Sequence, residues 1–167
     1  VVQLLNSLDT ANKPILFIPK DNTQQIDSII QIINKYQKKQ QNVLIITPEI
    51  LSSYQIENII RKKTGLSIAP INSKLSDGEY YDYYKEIKKG NYPVVVTTPV
   101  GALLPYNNIG AIIMLNTDSD NYYNDQCPRY NLKKVMIDYA SLLGSRVILT
   151  SFAPNITDYS YGLKNYY

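Results

Sequence analysis

Short runs of β-branched and other apolar residues alternate along the chain with longer stretches whose apolar residues fall three and four apart. That rhythm belongs to repeated βαβ units around a parallel sheet. Six runs read as strands: 15–18, 43–47, 67–71, 94–98, 111–115 and 146–150. Between them, 24–40 carries Ile26, Ile29, Ile30 and Ile33 at helical spacing, Ile56, Ile59 and Ile60 mark a second helix, and 77–89 and 132–143 form a third and a fourth. Ser76 stands three residues before Glu79, the capping-box spacing, and Gly90 falls where a C′ glycine ends a helix. Only the tail 159–167 reads as linker-like. The pattern predicts an α/β domain over 1–167: one doubly wound, mainly parallel sheet of about six strands with helices on both faces. Ligands on such sheets sit at the carboxyl ends of the strands, so the loops 19–25, 48–54, 99–105, 116–130 and 151–155 are expected to share one functional rim.

Composition narrows the chemistry. The 167 residues, 44% hydrophobic and 19% charged, suit one domain. No apolar run approaches the roughly 18 residues of a membrane span, and no basic segment followed by an apolar one opens the chain, so a cytoplasmic location away from membranes is expected. The first residue is Val1 rather than Met, and the chain is expected to be part of a longer protein. One cysteine, Cys127, and no histidine leave no disulfide framework, no Cys/His zinc site, no histidine base and no Ser-His-Asp triad within these residues. A net charge of +3 is too mild to argue for a DNA-coating protein. Sixteen Tyr against two Phe and no Trp, with abundant Asn, Ile and Lys, fits the codon bias of an AT-rich genome. Lys38-Lys39, Arg61-Lys62-Lys63, Lys88-Lys89 and Lys133-Lys134 read as solvated helix ends and faces, and Cys127 as an inert loop thiol.

The rim loops, taken in order, resemble the motor motifs of the primosomal protein N-prime (PriA) family, superfamily 2 DNA helicases that restart stalled replication forks in bacteria. The family's proline-glutamate motif appears as Thr47-Pro48-Glu49-Ile50, with Gln55 six residues after the Glu. Its leucine-serine-aspartate-glycine-glutamate run stands intact as Leu75-Ser76-Asp77-Gly78-Glu79, the most specific signal. The lead into the Walker B strand appears as Pro105-Tyr106-Asn107-Asn108-Ile109-Gly110, and the aromatic loop beyond that strand ends in Pro128-Arg129-Tyr130. The resemblance spans nearly the whole chain and implies the first of two RecA-like (P-loop NTPase fold) motor lobes.

The departures fall on the residues that would handle ATP and Mg²⁺, the cofactors of the family. A working phosphate loop needs glycines, a Lys on the phosphates and a hydroxyl on Mg²⁺. The corresponding window, 19–26, has no glycine and places Gln25 in the lysine position and Ile26 in the hydroxyl position; Lys20 lies five residues early. At Walker B the acidic pair becomes Leu115 and Asn116, with Asp118 and Asp120 reaching the metal only through a register slip. The glycine-threonine-arginine motif becomes Thr97-Thr98-Pro99, and motif III becomes Ser151-Phe152-Ala153-Pro154 without its Thr. Electrostatic clamping supplies nearly all the catalysis in phosphoryl transfer, so these losses predict a lobe without ATP binding, hydrolysis, a catalytic residue or a metal site.

DNA contact is the function expected to survive, with forked or single-stranded DNA as the partner. The residues that carry it are Glu49, Ser53 and Gln55 from the proline-glutamate motif and Tyr122, Tyr123, Arg129 and Tyr130 from the aromatic loop, where rings stack on unpaired bases and Arg meets phosphate. Asp118, Asp120 and Asp125 oppose this electrostatically. The leading expectation is an ATP-independent DNA-associated scaffold in replication restart. The alternatives are a docking module for replication proteins or the remainder of its own polypeptide, and an active ATP-dependent helicase.

Overall fold

The computed structural model describes residues 2–10, 13–164 and 166–167; Val1 lies outside them. Six strands form one wholly parallel sheet: β1 (Ile15–Phe17), β2 (Asn42–Ile46), β3 (Ile68–Ile71), β4 (Val94–Thr97), β5 (Ile109–Met114) and, last in the chain, β8 (Arg146–Thr150). A separate antiparallel pair, β6 (Tyr123–Asn124) and β7 (Tyr130–Asn131), makes a small hairpin. The helices are α1 (Val2–Thr10), α2 (Asn22–Lys38), α3 (Ile50–Thr64), α4 (Asp77–Lys89), α5 (Leu132–Leu143) and α6 (Ile156–Leu163). The expected α/β fold with helices on both faces is therefore present. The sequence pattern did not reveal α1, the hairpin or α6, which occupies most of the tail that reads as a linker.

Sheet order runs β1-β8-β5-β2-β4-β3. Alternation along each strand divides the core into two layers. Val43, Ile45, Ala111, Ile113 and Ile148 face Ile29, Ile32 and Ile33 of α2, Ile56 and Ile60 of α3, and Leu4 and Leu8 of α1. Leu44, Ile46, Ile112, Met114 and Leu149 face Ile87 of α4 and Leu132, Met136 and Ala140 of α5. Of the four tyrosines on α4, Tyr80, Tyr83 and Tyr84 pack against this second layer, whereas Tyr81 turns outward under the Lys85 ammonium, 4.4 Å from the ring centre.

Local signals set the helix ends. Ser76 and Glu79 close a reciprocal capping box, and Gly90 ends α4 at φ +80°, a left-handed conformation that glycine adopts without a Cβ penalty. The lead into β5 proves to be architectural. Tyr106 is buried with its hydroxyl donating to the Gly101 carbonyl, and a Cβ on Gly110 would stand 2.4 Å from the Tyr36 ring of α2.

Candidate functional site

Because every strand of the main sheet is parallel, all six carboxyl ends open onto one edge of the molecule. There the β1 loop turns directly into α2. Asp21 is the N-cap, in extended conformation, and its carboxylate accepts from the Gln24 N–H at 2.7 Å. The Gln24 side chain in turn accepts from the Lys20 N–H at 2.7 Å. A helix N-terminus attracts anions through its free N–H groups and partial positive charge, and here a carboxylate of the chain itself takes that place. One turn on, Gln25 is buried and donates through Nε2 to Thr150 Oγ1 at 3.0 Å, tying α2 to the end of β8. Ile26 is half-buried.

At the end of β5, Leu115 is buried, with its N–H on the Ile46 carbonyl, and Asn116 follows in the left-handed region at φ +50°. Asp118 is exposed and accepts from the Ser151 hydroxyl, while Asp120 opens a short 3-10 turn. Among the described residues no group of three or more acidic, histidine or cysteine side chains is placed to hold a metal ion. Glu49, Asn116, Asp118 and Phe152 line an open hollow of about 430 Å³ on this rim.

The nucleic-acid candidates divide by burial. Tyr123 is 52% exposed on the hairpin, and Arg129 is exposed, with its Nε donating to the Asp125 carbonyl at 3.1 Å. Tyr130 is half-buried and pairs with Asn124 across the hairpin. Both tyrosines line a small hollow of about 210 Å³, closed on the other side by Pro99 and Val100. Tyr122 points inward instead: it is 3% exposed, and its hydroxyl lies 2.6 Å from the Leu115 carbonyl and 3.0 Å from that of Ile46. Burial pushes its phenol well above the ordinary range, and the nearby Asp118 carboxylate adds to the effect. Ser53 is likewise buried, its hydroxyl on the Ile50 carbonyl at 2.7 Å. Both residues expected to face DNA are thus almost wholly buried, although Tyr122 also borders the hollow of Tyr123 and Tyr130. Glu49 is the exposed N-cap residue of α3, without a side-chain cap bond, and Gln55 is exposed on the same helix. Glu49 borders the first hollow and the hairpin tyrosines the second, while Gln55 borders neither.

Sequence reasoning missed two features of the rim. Leu51, Val100, Leu103 and Phe152 stand 67%, 54%, 54% and 42% exposed in or beside the rim loops. The signal was present, as apolar residues in loops that no core layer needs. Lys133, assigned above to a solvated face, is buried and paired with Asp158 of α6, its Nζ 2.6 Å from each carboxylate oxygen.

No family model matches the sequence. The replication restart protein PriA of Bacillus subtilis is 30% identical over 138 residues, 83% of this chain. The PriA proteins of Rickettsia prowazekii and Synechocystis are 26% and 30% identical over 92% and 76% of it. The chain is PriA-like. It spans only 17%, 24% and 15% of the length of these three relatives. Among solved structures, the PriA-like chain resembles the C-terminal domain of yeast Dbp5 with a TM-score of 0.67 at 12% identity, covering 93% of this chain and 85% of that one. Domain 2 of the DEAD-box helicase Mss116p follows at 0.63 and 16% identity, covering 84% of this chain and 54% of that one. At such identities the likeness establishes the RecA-like fold alone, common to both lobes of a two-lobed motor.

Proposed function

We propose that this PriA-like chain is the first motor lobe of a replication-restart helicase framework and acts as a DNA-associated scaffold that neither binds nor hydrolyses ATP. The motif order argues for the first lobe, from the proline-glutamate motif through the intact Leu75–Glu79 run to the aromatic loop. One observation carries the loss of ATP: the Asp21 carboxylate caps α2 where a nucleotide phosphate would need bare N–H groups. A phosphate brought there meets a like charge, while Gln25, in the lysine position, is already committed to Thr150. The side chains of Ile26 and Leu115 offer no oxygen for Mg²⁺, a hard cation that takes oxygen ligands. The residues present therefore do not fit MgATP, and we derive no catalytic step for it.

What remains for nucleic acid is the hairpin surface of Tyr123, Arg129 and Tyr130, with Glu49 and Gln55 on α3 at the same rim. Exposed rings suit stacking on unpaired bases, and a guanidinium suits phosphate. A cytoplasmic setting beside replication proteins follows from this reading. The test is anisotropy of a labelled forked DNA at low and moderate salt, with and without MgATP. Binding that weakens with salt and ignores MgATP is expected. Binding strengthened by MgATP, or magnesium-dependent turnover abolished by Lys20→Ala or Asp118→Asn, overturns the proposal.

The exposed Leu51, Val100, Leu103 and Phe152 favour a second reading, a face docked on another protein or on further polypeptide of its own chain. Absence of DNA binding at any salt would shift the assignment to it.

A further inference from the structure

A hollow of about 740 Å³ opens between α5 and α6 beside the hairpin. Its floor is the Lys133–Asp158 pair, which neutralises itself, with the Tyr167 hydroxyl 3.2 Å from Asp158 Oδ1. Its walls carry two further lysines, Lys134 and Lys164, both exposed and, among the described residues, without an ion-pair partner. Asp138 is the remaining carboxylate of the lining. Three tyrosines close one side: Tyr161 meets Tyr166 and Tyr167 edge-on, with ring centres 5.6 Å apart in each case, and Tyr166 stays 63% exposed. The hairpin joins the two hollows, because Tyr130 borders the smaller one and the next residue, Asn131, borders this one. Successive residues of a strand point to opposite sides, so β7 is a divide that a bound strand would cross.

We propose that this hollow is a second contact for single-stranded nucleic acid, seating phosphates on Lys134 and Lys164 and a base on Tyr166. The inference rests on the hairpin reading above and extends it from a point of contact to a path. Basic side chains interleaved with an exposed aromatic ring form the stacking platform and electrostatic track of sequence-tolerant single-strand binding. The lining's two free side-chain ammoniums outweigh its one free side-chain carboxylate, in contrast to the loop 116–130, where Asp118, Asp120 and Asp125 outnumber Arg129.

The experiment is an amide NMR titration of the chain with a short and a long oligothymidylate, alongside anisotropy on the double variant Lys134→Glu/Lys164→Glu. Both lysines are exposed, and thermal unfolding checks that the variant keeps its fold. Amide shifts over 131–138 and 155–164 with the long oligonucleotide are expected. The double variant should bind it roughly tenfold more weakly, with the log-salt slope reduced by about 1.4, since each single-strand phosphate contact contributes about 0.7. Tyr166→Ala should weaken binding and Tyr166→Phe restore it. Shifts confined to 123–130, with the double variant at full affinity, overturn this inference and leave the hairpin reading standing. Shifts in the hollow alone, with Tyr123→Ala silent, overturn the hairpin reading instead; no shifts anywhere overturn both.

Discussion

Tyr122 and Tyr123 are neighbours with opposite roles, one a core hydroxyl bonded to backbone carbonyls and the other an exposed ring. Substitution should separate them. Tyr122→Phe removes a buried hydrogen bond and is expected to cost about 1 kcal/mol in chemical denaturation while leaving DNA affinity unchanged. Tyr123→Ala should leave stability nearly unchanged and weaken single-strand binding by about 1–3 kcal/mol, the usual worth of one stacked base. Which tyrosine faces inward was not legible in the sequence, because the loop has no period that assigns sides; the carbonyls of Leu115 and Ile46 decide it. Burial also raises the phenols of Tyr106 and Tyr122 well above their ordinary value of 10.0. A raised folded-state value stabilises the fold below the unfolded value and loses that stabilisation as pH rises beyond it, since the unfolded chain then sheds protons the folded one keeps. Stability should therefore fall steeply above about pH 10, and Tyr122→Phe should flatten that fall in pH-dependent urea titrations.

At the scale of elements, α4 and α5 match their sequence readings at both ends, and the six strands agree within two residues. Caps and apolar periodicity are local properties and so are readable without the fold. The hairpin strands are two residues each, too short for alternation to show. Helix α6 carries Gly162, a poor helix former, yet it starts on a firm cap, Asn155 accepting from the Asp158 N–H at 2.8 Å. The departures from the phosphate loop were legible as letters, but not the replacement that the structure contains: Asp21 as the α2 cap. Asp21→Ala should destabilise the chain by about 1 kcal/mol through loss of that cap. It should not create a thermal shift with MgATP, because Gln25 and Ile26 remain; a MgATP-dependent rise in Tm of this variant would show that the cap alone keeps the nucleotide out.

Over the whole molecule, sheet order was beyond the reach of local pattern. The first strand pairs with the last, and β8 inserts between β1 and β5, a choice made by tertiary packing rather than by any segment alone. The same long-range closure buries Lys133, which looks like half of a surface basic pair in sequence and lies 2.6 Å from Asp158 in space. The two charges leave water only because α6 folds back on α5, so the pair reports on how firmly the chain's last helix is held. Removing one partner strands the other in the core, at a cost of about 3–5 kcal/mol, whereas replacing both with apolar residues of similar size removes the desolvation penalty too. Asp158→Leu and Lys133→Met should each therefore lower the unfolding free energy by that amount, the former also releasing the Tyr167 hydroxyl from its acceptor. The double variant should recover most of the loss. Recovery in a double-mutant cycle followed by urea denaturation would identify the pair as a neutral latch; single losses that simply add would mean that Lys133 and Asp158 act independently and that something other than their ion pair holds α6 in place.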